Sequence, residues 1–235
     1  MNNSKEKQLN LYNFVWYFTI FSIVGLIIET IYCFATTGIL ESRKGLIFGP
    51  FCPVYGIGAT LMIFILNRYS NNYFKLFFYG FLLGSIIEYL LSYALEAIYG
   101  IRFWEYSYIN SNLNGRICIP YSSFWGILSI MLVKFIKPMI DKLLSKIPKN
   151  INKKCIIFIL VFFIFDCICT VWAISSCKNR ILYSRDLDII EKSTLQKQVN
   201  KLESILFPTE YVIKNFPNLR IIDNGEEKFI RNLIT

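Results

Sequence analysis

Four carboxylates sit inside long apolar runs of this chain: Glu29, Glu88, Glu96 and Asp166. Ionised groups are rare in protein cores and rarer in lipid, so carboxylates at such depth face a polar interior and point to binding or ion chemistry. Glu88 and Glu96 fall on one stripe with Gly80, Gly84 and Ser92, one residue in every four, which drifts slowly round a single helix face. On that face each carboxylate needs a cation, a proton or hydrogen-bond donors. Arg102 and Arg116 follow in the connection 100–120, with Asn114 beside them, and guanidinium forks suit carboxylates and phosphates alike. Counter-ions for Glu88 or Glu96 are therefore close in sequence.

Three functions fit these residues. In the first, Glu29, Glu88, Glu96 and Asp166 line a polar route through which a transporter moves a small solute. Arg102, Asn114 and Arg116 then pair with the carboxylates or with an anionic cargo. In the second, the same carboxylates and arginines perform acid–base chemistry on a lipid headgroup or isoprenoid phosphate within the membrane. In the third, the chain is a non-catalytic regulatory or scaffolding protein whose buried charges fix helix register. Plainer readings stand beside each: Glu29 pairing with a cation near the headgroups, and 100–120 as a solvated loop.

The elements that must position these groups are membrane spans. At 235 residues, 54% hydrophobic and only 17% charged, the chain lies outside the usual soluble range. Its apolar residues gather into runs of about twenty, enough to cross a ~30 Å hydrocarbon core. The pattern predicts an all-α, polytopic helix bundle of about five spans, near 14–36, 46–66, 74–99, 122–140 and 155–176. A polar tail, 1–13, precedes the membrane domain 14–176, and a second polar tail, 177–235, follows it. The run after residue 13 is too long for a signal-peptide core, which predicts that it is retained as a span. In the second tail Leu195, Val199, Leu202 and Leu206 keep helical spacing up to Pro208, predicting a short amphipathic helix docked on the membrane domain or on a partner.

The second span is irregular at the sequence level. Gly45, Gly49, Pro50, Pro53, Gly56 and Gly58 remove backbone donors and lower helix propensity. Non-helical backbone at membrane depth must be covered by protein or line a watery cavity, so this stretch is either a broken or re-entrant helix or a tight small-residue interface.

The net charge of +9 comes from basic residues crowded between apolar runs, above all Lys142, Lys146, Lys149, Lys153 and Lys154. That arrangement fits positive-inside topology and anionic lipid headgroups, and argues against nucleic acid. It places the 137–154 loop in the cytoplasm of a bacterial cell. Five spans would put the amino terminus there as well, and a re-entrant second span would change that parity. Histidine is absent, which excludes a His-based triad or His-rich metal centre, and the seven cysteines form no paired Cys-x-x-Cys ligands, so neither metal nor other cofactor is expected.

Taken in order, Gly25 and Glu29; Lys44-Gly45-Leu46 with Gly49-Pro50, Cys52-Pro53 and Tyr55-Gly56-x-Gly58; Glu88-Tyr89 with Ser92 and Glu96; Gly100 through Trp104 and Tyr106; Asn114-Gly115-Arg116-Ile117-Cys118; and Trp125-Gly126 form a recognisable set. Over roughly 14–140 this set resembles the putative ABC-transporter type IV permease family of small bacterial membrane proteins. The family has Arg-Gly where this chain has Lys44-Gly45, and usually aspartate where it has Glu105; both changes keep charge, although lysine loses the bidentate fork. The resemblance implies a permease. Because no Gly-x-x-x-x-Gly-Lys-[Ser/Thr] phosphate loop occurs here, it implies further that ATP hydrolysis comes from a separate subunit, for which the basic 137–154 loop is a candidate dock. A homo-oligomer is compatible with the same reading.

Overall fold

The computed structural model describes residues 11–147, 149–185, 201–223 and 226–233. Among them, α1 spans Leu11–Thr37, α2 Pro53–Leu66, α3 Tyr73–Tyr99, α4 Ile119–Met131, α5 Lys137–Leu144, α6 Lys149–Arg185 and α7 Thr209–Asn215. Four stretches are long and apolar enough to cross a membrane: α1, α3, the α4–α5 unit Ile119–Leu144, and Lys154–Leu182 of α6. The protein is a multi-pass membrane protein, and its large exposed side chains on these stretches, such as Phe135, Phe158, Ile164 and Ile168, face lipid.

Of the about five expected spans, the second, for which a broken or re-entrant helix is one of the two expectations, is not confirmed as a full span. Helix α2 has 14 residues, about 21 Å at 1.5 Å per residue, too short to span the hydrocarbon core alone. The cause is local. Gly49 takes a left-handed φ of 67°, Pro50 follows it, and Cys52 is extended, so the helix begins only at Pro53, where a missing N–H costs nothing. The broken-helix reading describes this segment. It packs antiparallel to α1: Cys52 N–H donates to Ser22 O at 2.9 Å, Gly56 abuts Ser22, and Phe64 stacks on Phe14 at 6.0 Å.

Helix α3 starts at Asn72, whose side chain accepts from Lys75 N–H, and stops at Gly100, left-handed at φ 60°. Its Gly80, Gly84, Glu88 and Ser92 are all buried, because α4 runs antiparallel across that stripe. A Cβ on Gly84 would land on Cβ and Cγ of Trp125, atoms too close to the α4 backbone to swing aside. Gly84→Val should therefore destabilise the bundle by about 1–3 kcal/mol or more, read as a lowered thermal midpoint in detergent. Between α4 and α5 the chain widens into a π turn at Leu132–Ile136. Pro138 explains it, since its ring removes a helical donor and crowds the carbonyl four residues back.

Short strands were not foreseen. β2 (Asn112–Leu113) and β3 (Ile117–Cys118) form a hairpin turned by Asn114 and Gly115, both at positive φ as a type I′ turn requires. β1 (Ile101–Arg102) pairs antiparallel with β4 (Arg220–Asp223), which pairs in turn with β5 (Glu226–Phe229). The tail is thus tied by backbone hydrogen bonds to the end of α3. It has its own apolar core against α6, made of Ala173, Cys177, Val212, Phe216, Leu219 and Ile221. The helix predicted at 195–206 lies partly outside the described residues; 201–206 are helical and stop before Pro208, and α7 follows.

Candidate functional site

The close approach of α3 and α4 at Gly84 lays the Trp125 indole along α3. One turn further, its Nε1–H donates to Glu88 Oε2 at 3.1 Å. Tyr106 reaches the other oxygen from the 100–118 connection, donating to Oε1 at 2.8 Å, and its backbone is fixed by an N–H bond to Gly115 O. Glu88 is 6% exposed and satisfied by one N–H and one O–H donor. Burial, then the neighbouring Glu88, pushes the Tyr106 phenol well above its usual range, so it stays protonated and donates.

Trp125 also links this carboxylate to the broken segment. The Tyr55 ring sits 5.7 Å from the indole, and its hydroxyl donates to Glu29 Oε2 across the α1–α2 contact. Gly25 makes room for Tyr55, and Gly58 faces the indole edge at 3.3 Å from where a Cβ would stand. On the far side Tyr106 stacks on Tyr121 at 4.7 Å, and the Tyr121 hydroxyl lies 3.3 Å from that of Tyr32. Glu29 and Glu88 therefore belong to one cluster with Tyr55, Trp125, Tyr106, Tyr121 and Tyr32.

Glu96 belongs to a different one. Arg102 Nη2 and Arg116 Nη1 each lie 2.6 Å from its Oε2, and Arg102 Nε donates to the same oxygen. Arg116 is buried, its guanidinium 5.4 Å from the Tyr93 ring and 5.6 Å from Tyr89, with Ser92 Oγ at 3.4 Å. Trp104 Nε1–H holds the Arg116 carbonyl at 3.0 Å, and the exposed Asn114 donates to the Tyr89 hydroxyl. From the tail, Glu227 approaches Arg102 at 3.5 Å and Arg220 at 3.3 Å, while Arg220 reaches Glu105 at 3.6 Å. Three arginines and three glutamates thus alternate through this cluster, joining α3, the connection and the tail sheet. Burial pushes the Glu227 carboxyl up, against the pull of Arg220 and Arg102.

Asp166 joins neither. It sits on α6 against the irregular segment, with Phe48 N–H at 3.0 Å and Thr170 Oγ1 at 3.3 Å, while Thr170 takes Ile47 N–H at 2.9 Å. In the same segment Gly45 N–H bonds Phe51 O, its missing Cβ makes room for Pro53, and Gly49-Pro50 forms the exposed bend. A groove of about 380 Å³ lies on the tail side, lined by Phe48, Phe165, Cys169, Trp172, Leu206, Phe207 and Tyr211 rather than by carboxylates. Among the described residues no group of three or more acidic or cysteine side chains is placed to hold a metal.

Sequence reasoning missed Tyr32, Tyr121, Arg220 and Glu227. The last two come from the tail, where nothing local announces pairing with residue 102. The Asn114-Gly115 pair was a readable hairpin signal, and it is what carries Arg116 back toward α3. The model of a protein family described as Putative ABC-transporter type IV matches residues 16–171, a range that holds both clusters except for the tail residues and includes Asp166. Comparison with curated proteins and with solved structures returned no match.

Proposed function

Because the chain belongs to the Putative ABC-transporter type IV family, we propose that it is the membrane-spanning permease component of a transporter in a bacterial cytoplasmic membrane. The observation that carries this reading is Glu88, buried in the bundle and held by neutral donors instead of a cation. A carboxylate kept at that depth by an indole and a phenol is a polar group poised in a protein interior, the arrangement expected along a solute or ion path. Its link through Trp125 and Tyr55 to Glu29 extends the polar track from α3 to α1 and the broken second element. Interrupted helices of this kind commonly border binding sites at membrane depth.

The solute is small and polar. Arg102 and Arg116 are held by Glu96, while Glu29 and Glu88 are met by neutral donors and no cation, so hydrogen-bond donors on the solute would replace those of Tyr55, Tyr106 and Trp125. An anionic solute would have to displace Glu96 from its arginines. The energy comes from a separate ATP-binding subunit that engages the basic end of the bundle, where Lys142, Lys146 and Lys154 are exposed.

Purification of the chain from its native membranes in mild detergent tests this. The expected result is a stoichiometric nucleotide-binding subunit that hydrolyses ATP. An intact, folded chain recovered without any nucleotide-binding partner, in detergents that preserve other permease complexes, would contradict it.

A further inference from the structure

We propose that the solute enters between α1 and α4 at the tail end of the bundle, through a gate closed by the hydroxyl groups of Tyr32 and Tyr121, while the basic end is held shut. Helix α1 packs chiefly on α2 and α6, and α4 chiefly on α3. Tyrosine hydroxyls nevertheless tie α1 to the α4–α5 unit near each end of the bundle. At the basic end Tyr17 donates to Asp141 Oδ1, whose other oxygen takes Lys137 Nζ at 2.7 Å. At the tail end the Tyr32 and Tyr121 hydroxyls lie 3.3 Å apart, and either can donate. Along α1 the two tyrosines stand about 22 Å apart at 1.5 Å per residue.

The two ties differ in strength. Tyr17 is 2% exposed, its bond ends on a carboxylate, and it lies in an apolar core shared with Met62, Leu66 and Leu76 and with Leu132 and Ile140 of the α4–α5 unit. Tyr32 is 48% exposed, and its contact joins two neutral groups, which makes it about half as strong as a bond to an ion. Among the described residues, the apolar core at the tail end draws its buried members from α6, the tail, β1 and the segment 45–52, and none from α1 or α4. Helix α2 starts only at Pro53, where Cys52 N–H meets Ser22 O, well short of Tyr32. The tail end between α1 and α4 therefore parts first. Behind it lie the two carboxylates assigned to the solute. Glu29 stands one turn before Tyr32 on α1, and Tyr121 is stacked on Tyr106, the donor to Glu88. Swinging Tyr121 aside uncovers the Tyr106 ring and the way to Glu88, and parting it from Tyr32 uncovers Glu29. The gate deepens the reading in which Glu29 and Glu88 meet the solute, and rests on it. With the basic end in the cytoplasm, as its lysines predict, the gate opens on the far side of the membrane.

The full chain in lipid nanodiscs tests the gate without any solute. Carboxylates are labelled with a water-soluble carbodiimide and glycine ethyl ester, and the label at Glu29, Glu88 and Asp166 is read by peptide mass. Tyr32→Phe and Tyr121→Phe each keep the ring and remove one hydroxyl, so either should quicken labelling of Glu29 and Glu88 by roughly two- to tenfold, the opening released by losing one neutral hydrogen bond. The double variant should quicken it no further, because the same contact is lost in each. Tyr17→Phe, at the shut end, should leave both rates unchanged, and Asp166, with no exposed surface, should stay unlabelled throughout. Unchanged rates in the tail-end variants, equal quickening by Tyr17→Phe, a double variant that multiplies the single effects, or label appearing on Asp166 as well would each overturn the gate. Quickened labelling beside wild-type turnover in Glu88→Gln would leave the opening in place and end the solute assignment. Lost turnover in Glu88→Gln beside labelling that ignores the tyrosines would do the reverse.

Discussion

Glu96→Ala is expected to cost about 1–3 kcal/mol of stability, below the full range for breaking a buried pair, because Arg116 is buried while the Glu96 side chain is 27% exposed. Glu96 Oε2 is the shared acceptor of two guanidinium groups at 2.6 Å. Arg102 keeps Glu227 when Glu96 is lost, but Arg116, only 7% exposed, is left with Ser92 and two tyrosine rings for company. Its charge is then buried without an anion. Glu96→Gln should fall between, because an amide oxygen still accepts from both arginines without neutralising either. Thermal unfolding in detergent reads the order wild type, Gln, Ala. The tail sheet should loosen with it, since Arg102 and Arg220 share Glu227, and faster exchange of the β1–β4 amides reports that. Arg116→Leu in the Glu96→Ala background should recover part of the loss by removing the orphaned charge.

Glu88→Gln carries the second large effect, on activity instead of stability. Glutamine keeps the shape of the side chain and one good acceptor, so the bundle retains most of its packing around Trp125 and Tyr106. The amide nitrogen faces one of two donors, which costs about 1–3 kcal/mol for the unsatisfied N–H or O–H. What disappears is the charge. If Glu88 and Glu29 meet the solute, turnover should fall by at least about a hundredfold, the scale of a charged hydrogen bond of about 3 kcal/mol lost from a buried site. A protein that used Glu88 only to hold its helices in register would lose stability and keep its turnover.

Much of this arrangement was legible from residue types at short range. The one-in-four recurrence of Gly80, Gly84, Glu88 and Ser92 announces a buried face because small residues admit a neighbour and the carboxylate then has protein around it. Glycines and prolines between 45 and 58 announce broken backbone, though not its length. The shortening of α2 follows from a positive φ at Gly49 and an extended Cys52, which are conformations rather than compositions. The partners of the charges were less legible, because they depend on long-range pairing. Both arginines meet Glu96 and neither meets Glu88, a choice made by the Asn114-Gly115 hairpin and by the tail strand β4. Asp166 is answered by backbone amides of the broken segment instead of another helix's side chain, and no residue type encodes a free N–H. Trp125, visible in the sequence as half of a Trp125-Gly126 pair with no sign of its partners, is the ring that joins Glu29 to Glu88.

The central claim is that Glu88 works on the solute and is not merely a brace, and one comparison tests it most directly. The complex with an ATP-binding subunit that the proposed function calls for, reconstituted in liposomes as wild type and as Glu88→Gln, is assayed for ATP turnover coupled to solute movement beside its thermal midpoint. The account predicts a midpoint lowered by about 2–12 °C, corresponding to about 1–3 kcal/mol, with coupled turnover all but abolished. Wild-type turnover in Glu88→Gln, whatever its midpoint, would contradict it.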